Sequence, residues 1–479
     1  MNTQTSRIYL LFLLVFTACR TEYKELVSTE KSPLFNLLSP SLTGIDFENT
    51  LTETEKNNII TYEYIYNGGG VAIGDVNNDG FPDIYLSGNQ VKNKLFLNKG
   101  SLKFEDITTK IQLEEKEGWK TGAAMADING DGLIDIYLCY SGNAPQEGMT
   151  APLINDYKPR SNQLFINQGL DKNGLPTFKE QAKEYGVDAI GTFSTQAYFL
   201  DYDLDGDLDL FVASGGVECV PGSSLLLDRI YLNDGLGNFT KGHSSLMPDI
   251  RTSSSVVAAA DIDLDGTQEI FIGGRVVPGK YPLSPNSFII KKIDSNYSDA
   301  TTKLAPEIKN AGMVTSAIFS DVDIDGWPDL LVTYEWGPVR FFHNDSGFLY
   351  DRTADVDMAE RLGWFNSISG GDIDNDGEIE IIVTSKNKYC HIIDQYGNIE
   401  LTYFADQYLM GTPSLANLDN DDYLEIVFAG YTTSGDIFAI NHNGTNVNNF
   451  PVNINEKVLN GVAIYDLNNN GKDDIVVAT

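Results

Sequence analysis

Eight nonapeptides spread along the chain place oxygen-bearing side chains at positions 1, 3, 5 and 9. The ligand-type residues are Asp75, Asn77, Asp79 and Asp83 in DVNNDGFPD, Asp127, Asn129, Asp131 and Asp135 in DINGDGLID, and Asp201, Asp203, Asp205 and Asp209 in DYDLDGDLD. They continue as Asp261, Asp263, Asp265 and Glu269 in DIDLDGTQE, Asp321, Asp323, Asp325 and Asp329 in DVDIDGWPD, and Asp372, Asp374, Asp376 and Glu380 in DIDNDGEIE. Two worn copies follow: Asn417, Asp419, Asp421 and Glu425 in NLDNDDYLE, and Asp466, Asn468, Asn470 and Asp474 in DLNNNGKDD. Several carboxylates within nine residues repel one another unless a cation sits among them. Hard oxygens at alternate positions of a short loop suit Ca²⁺, which takes about six to eight of them. Glycine at position 6, in all copies but the one at 417, permits the sharp turn around an ion. The expected cofactor is therefore several structural Ca²⁺ ions; the plainer alternative, solvated acidic turns, suits one copy better than eight. In the worn copies Asp422 replaces the glycine, and Asn468 with Asn470 leaves two carboxylates.

The elements that carry these loops are strands. An EF-hand loop would continue to a Glu at position 12 and a helix, but position 12 here is apolar (Leu86, Leu138, Val332) and the runs after position 9 are IYL, LFV, IFI, LLV and IIV. Such runs of β-branched and aromatic residues read as strands. In the first repeat, GGVAIG, the loop, DIYLSG, KLFLNKG and KFEDIT make a four-stranded unit. Loops recur at spacings of 52, 74, 60, 60, 51, 45 and 49 residues, the period of propeller blades. First strands rich in small residues (TGAAMA, SSVVAAA, FNSISGG) suit packing near a central axis. The expected fold is all-β, a β-propeller over residues 44–479 with four-stranded antiparallel blades and the Ca loops between strands one and two. Eight blades are expected, with seven as the alternative. The last repeat supplies one strand after Asp474; either strands at 44–50 and 60–66 complete it, or the sequence is the front part of a longer protein.

The net charge of −35 excludes a nucleic-acid partner. The loops' ligand positions carry 27 of the 68 acidic residues, so the acidity is mostly that of the metal sites. At the N-terminus, Arg7, the apolar run 8–16 and Thr17-Ala18-Cys19 read as a secretory signal too short to span a membrane. Its ending is similar to a bacterial lipoprotein signal, which makes Cys19 the lipidated residue and residues 1–19 the signal. Residues 20–43, polar with Ser and Pro, read as a tether. Cys139 and Cys390 fall in strand-like runs and read as buried small residues, whereas Cys219 falls in a loop.

The D-x-D-x-D-G-x-x-D loops and flanking strands resemble the FG-GAP/VCBS repeat family, whose best-known members are the calcium-bound propellers of integrin α-subunits. YNGGGVAIGDVNNDG, STQAYFLDYDLDGDLDL, GGRVVPGKYPLSPNS and LGWFNSISGGDIDNDG are further similar to exported bacterial VCBS-repeat proteins of the ASPIC/UnbV type. Repeats after 380 depart from that pattern, with IIDQYGNI and FAINHNGTNVNNFPV in place of L-N-x-G…F-x-D-x-T. The resemblance implies fold and location: an exported lipoprotein of the outer membrane or cell surface, facing outward or toward the periplasm.

Three connections between strands two and three are long, 140–161, 214–228 and 272–287, and Arg160, Arg229, Arg275 and Tyr281 are their candidate contact residues. Trp119, Trp327, Trp336 and Trp364 could stack on sugars or pack between blades. His243, His343, His391 and His442 are scattered, and H-E-x-x-H, C-x-x-C and G-x-S-x-G are absent. The expected function is a binding or adhesion module for an extracellular or envelope protein or glycan. The alternative is a lyase-like enzyme, since some polysaccharide lyases are similar calcium-rich propellers.

Overall fold

The computed structural model describes residues 39–477 apart from 56–57, 59–64, 67, 112, 114–115, 117, 143–159, 218, 243–245, 294–295, 356–357, 361, 395–397, 419–420, 422, 459–460 and 468–471. Cys19 and nearly all of the expected tether lie outside that range; its last residues, Pro40–Thr43, form one helical turn. Among the described residues no helix is long and apolar enough to cross a membrane.

Seven four-stranded antiparallel sheets follow one another along the chain, over residues 71–106, 119–180, 194–241, 253–299, 314–351, 365–404 and 414–453. They stand in a ring as blades one to seven, an all-β propeller. Within each, strands are paired in chain order. Blade five shows why. Its first strand, Val314–Ser320, is mostly half-buried, whereas its second, Asp329–Tyr334, is buried at every residue. A strand covered on both faces by neighbouring blades needs the unbroken apolar run LLV, and polar residues appear again in Arg340–Asp345 and Phe348–Asp351. The cores lie between blades: Phe271 and Ile289 of blade four meet Val332 and Phe342 of blade five, all fully buried. Each such side chain contributes about 1.5–3 kcal/mol by leaving water.

Among the described residues the complete blades number seven, not eight. The eighth loop joins only two strands, Ala463–Tyr465 and Asp474–Val476. This hairpin packs Ile464 and Ile475 onto blade seven, and its Leu467 and Val476 lie in one cluster with Ile84 and Phe96 of blade one. The expected strand at 44–50 does not form. Its side chains are held by blade one: Lys94 pairs with Asp46 at 2.7 Å, and Asn49 exchanges hydrogen bonds with Asn89 at 2.7 and 2.9 Å. Ile45 and Phe47 pack against the hairpin–blade one cluster from that irregular segment. Of the second expected strand, at 60–66, residues 60–64 lie outside the described residues.

Candidate metal centres

The first six Asp loops each link strand one to strand two and are wound by their own carboxylates. At position 1, Asp75 accepts the N–H groups of Asp79 (3.1 Å) and Gly80 (2.8 Å). Asp321 does the same for Asp325 (3.0 Å) and Gly326 (2.9 Å). Position 5 then accepts the N–H of position 7, as in Asp325 from Trp327 at 2.8 Å. Glycine 6 is left-handed, with φ 85° at Gly80 and 92° at Gly326, as the turn requires. Position 4 is left-handed as well, and sequence reasoning missed it: Leu204, Leu264 and Ile324 stand at φ 66°, 53° and 57°. Such backbone is costly for these residue types and persists only where surroundings over-determine it.

Position 9 fastens the loop to its own blade. In all eight loops its carboxylate accepts the N–H of position 2, from 2.6 Å at Leu418–Glu425 to 3.3 Å at Ile128–Asp135. In four of them the other oxygen takes the N–H of a third-strand asparagine: Asn98, Asn167, Asn233 or Asn344. Burial pushes these carboxyls up, to about 7 at Asp83, Asp135 and Glu380 and about 6 at Asp209 and Asp329.

Position 2 faces the other way. Val76, Ile128, Tyr202, Ile262, Val322, Ile373, Leu418 and Leu467 are all buried, each in the core shared with the next unit around the ring. The same third-strand asparagines clamp them. Asn167 donates to Val76 O (2.8 Å), Asn233 to Ile128 O (2.7 Å) and Asn344 to Ile262 O (2.8 Å). Asn98 donates to Leu467 O at 2.9 Å, across 369 residues, and so closes the ring. Blade four lacks the asparagine, and Tyr297 Oη takes its place on Tyr202 O at 2.8 Å.

The odd-numbered side chains converge as ligands would. One oxygen each from Asp201, Asp203 and Asp209 lies within 4.8 Å of the others, and the same holds for Asp372, Asp374 and Glu380, for Asp261, Asp263 and Asp265, and for Asp321, Asp323 and Asp325. At position 3, Asp203 Oδ1 and Asp374 Oδ1 are buried with no hydrogen-bond partner. Burial, Asp205 and Asp201 together raise the Asp203 carboxyl above its ordinary range. A buried carboxylate oxygen without a protein partner, set among other carboxylates, fits a bound divalent cation. In loops one and two, Asn77 and Asn129 stand at position 3 and their amides bond Asp79 (2.9 Å) and Asp131 (3.0 Å) instead. Two loops receive a side chain from the third strand: Lys291 in the fourth, and in the fifth His343, with Nδ1 3.2 Å from Asp329 and 3.4 Å from Asp323. Asp419, Asn468 and Asn470 of the worn loops lie outside the described residues.

The other candidates divide by partner. Arg229 is buried and donates to Ser214 Oγ (2.8 Å) and Leu227 O (2.7 Å). Arg160 stacks 3.6 Å over Phe193, and Arg275 pairs with buried Glu335 at 2.7 Å; all three brace the fold. Cys219, placed in a loop by sequence, is buried against Phe193 and Leu226, and Cys139 and Cys390 are buried too. At the blade ends remote from the Asp loops, Tyr281 and Trp336 are 48% and 56% exposed. Trp336 Nε1 donates to Tyr281 Oη (2.8 Å), which donates to Glu335 (2.6 Å). Trp364 lies 4.9 Å from Trp336, with Lys386 3.7 Å over its ring.

Comparison with known proteins agrees with this geometry. Residues 75–138, 201–272 and 321–383 match the model of the FG-GAP-like repeat. Each match runs from one Asp loop to the second strand of the next blade, so together they take in six loops. The chain carries FG-GAP-like repeats. Over 72 residues it is 38% identical to cartilage acidic protein 1 of Xenopus tropicalis, a match covering 15% of this chain and 11% of that protein. The solved structure of Saccharomyces cerevisiae Sqt1 superposes with a TM-score of 0.51 at 11% identity, over 86% of this chain and 96% of that one. The Dos1 propeller gives a TM-score of 0.47 at 10% identity, over 86% and 91%. The likeness to Sqt1 is one of fold.

Proposed function

We propose that these FG-GAP-like repeats build a calcium-loaded interaction module, with structural Ca²⁺ in the Asp loops and an extracellular or envelope ligand on the opposite face. One observation carries the calcium reading: the buried, partnerless oxygens Asp203 Oδ1 and Asp374 Oδ1, set where other carboxylates converge. The side chains at positions 1, 3, 5 and 9 would hold the ion. It would supply charge neutralisation and a rigid loop.

The ligand face is supported by the exposed Tyr281–Trp336 pair with Trp364 beneath it. Antiparallel strands put this cluster, built on connections from strand two to strand three and the start of a first strand, at the end away from the Asp loops. Flat aromatic faces beside a phenol and Lys386 suit a sugar ring, which stacks its C–H face and hydrogen-bonds at its edge. A glycan is therefore the favoured class. The module is read as non-enzymatic: His343, His391 and His442 stand in three different blades, and the aromatic cluster lies away from the carboxylate loops that a calcium-assisted lyase would use. Envelope anchoring rests on residues 7–19, with Cys19 lipidated, and on the likeness to exported bacterial VCBS proteins.

The test is thermal unfolding of the chain from about residue 20, in EDTA and in millimolar Ca²⁺. Loops of this extracellular kind bind at about 0.1–1 mM, so saturating calcium should raise the midpoint. No shift in folded protein would overturn the calcium reading. A glycan array probed with holo protein and with Trp336→Ala tests the ligand face; equal patterns from both would sink it.

A further inference from the structure

Loop four, residues 261–269, takes a lysine from its own third strand, at the register place that holds His343 in blade five. Lys291, on the third strand of blade four (Phe288–Ile293), sends its ammonium into the cage. Nζ lies 2.8 Å from Asp263 Oδ2, 2.9 Å from Asp265 Oδ2 and 2.7 Å from Glu269 Oε1. It therefore touches positions 3, 5 and 9 together, and its side chain is only 14% exposed. The strand register explains how it gets there. Ile270, just after position 9, pairs with Ile290, so the next residue of the third strand points back over the loop. In blades one to three the equivalent pairs are Ile84 with Phe96, Ile136 with Phe165 and Leu210 with Tyr231, which puts Leu97, Ile166 and Leu232 at that place. Those side chains offer the cage no charge. Loop four alone among the described loops is given an ammonium.

We infer that Lys291 is the resident cation of the fourth loop, taking the place of Ca²⁺ there, so that this loop is set without metal. An ammonium with three donors can satisfy three carboxylates at hydrogen-bond distance. A divalent ion in the same cage would have to expel it and leave it buried beside a second cation, which like-charge repulsion forbids. The consequence is positional. Ile262, at position 2 of this loop, plugs the seam between blades four and five, and the adjoining connections carry Tyr281 and Trp336. That seam stays locked when calcium is scarce. The inference rests on the calcium reading of the other loops.

Hydrogen exchange on the whole chain, in EDTA and in 10 mM CaCl₂, tests it without any variant. Peptides covering 261–269 should show the same protection in both, whereas peptides covering 321–329 and 372–380 lose protection in EDTA. Equilibrium dialysis with CaCl₂ then compares wild type with Lys291→Leu, which copies blade one. The variant should bind one more Ca²⁺ per chain, and its 261–269 peptides should become calcium-dependent. If wild-type 261–269 responds to EDTA like 321–329, the inference is overturned while the calcium reading stands. Should no loop respond and no calcium bind, both fall. Should the variant fold without gaining a site, the resident-cation role is refuted; should it not fold, the wild-type exchange comparison decides.

Discussion

Asp203→Asn separates a carboxylate that is there for a cation from one that is there for the fold. Asp203 carries a buried Oδ1 without a partner and shares its loop with Asp201 and Asp209, whose nearest oxygens lie within 4.8 Å. Two unit charges at that distance repel by about 3 kcal/mol at an effective dielectric of 20 and by about 1 kcal/mol in water. The loop is half-exposed, so removing one charge should stabilise the metal-free protein by about 1–2 kcal/mol. Asparagine is sterically acceptable, since Asn77 and Asn129 occupy the same position in loops one and two. With calcium the effect runs the other way. At 10 mM Ca²⁺ and a Kd of about 0.3 mM, one site adds about 2.1 kcal/mol; if losing a charge weakens binding about tenfold, it adds about 0.9 kcal/mol. The calcium-dependent increment should therefore shrink by about 1 kcal/mol while stability in EDTA rises. Urea unfolding followed by tryptophan fluorescence, with and without calcium for both proteins, forms the thermodynamic cycle. A variant destabilised in EDTA, or one with an undiminished calcium increment, would refute the assignment of Asp203 as a ligand.

Three more expectations follow from the same geometry. Asn98→Ala removes a fully buried amide that donates to Pro82 O and Leu467 O and accepts from Gly100 N; it should cost about 2–4 kcal/mol and open residues 463–476 to hydrogen exchange. Equal exchange there in Asn98→Ala and Asn344→Ala would argue against ring closure by Asn98. Ile324→Asn places a tolerant residue at φ 57° and should raise the urea midpoint of the EDTA form by an equivalent of about 1 kcal/mol; a lower midpoint would show that the left-handed turn is not strained. The third concerns pH. Burial holds the position 9 carboxyls of the first six loops at about 6–7 in the folded chain, above the unfolded value of about 4, so the metal-free fold holds extra protons and loses stability as pH rises from about 4 through 7. Calcium needs those groups ionised, so the midpoint gap between calcium and EDTA should widen from pH 5.5 to 8; a constant gap would contradict it.

What could be read from sequence was whatever repeats locally. The ligand positions stood out because charge at alternate residues is visible without a structure, and the second strands because a strand buried on both faces needs an unbroken apolar run. Position 2 was equally regular, always Val, Ile, Leu or Tyr, but its meaning depends on a neighbour some fifty residues away. The left-handed position 4 was hidden because Leu204, Leu264 and Ile324 are residues that no turn rule selects. Long-range partners account for the remaining misses. GIDFENT has strand-like alternation, yet Asp46 and Asn49 are taken by Lys94 and Asn89. Arg229, read as a contact residue, turns inward to Ser214.

The division of labour within the nonapeptide decides what calcium would do to the whole ring. Positions 1, 3 and 5 would face an ion, position 9 holds the loop to its own blade, and position 2 seals the next seam. The ladders of each blade do not pass through the loop, so an ion there would stiffen the joints between blades more than the blades themselves. This predicts compensation wherever the cage is worn, and the two worn loops carry it. Beside the 417 loop, Asn417 N donates to Asp473 Oδ2 at 2.9 Å and Asp473 N returns a bond to Asn417 O at 3.3 Å, tying blade seven directly to the hairpin. Beyond the 466 loop, which keeps carboxylates only at Asp466 and Asp474, the seam to blade one has, besides the asparagine clamp that other seams share, Ile45 and Phe47 packed on it from outside the repeats. Where the cation site is poorest, protein contacts cross the joint, and those two seams should be the least sensitive to EDTA after the one that Lys291 holds.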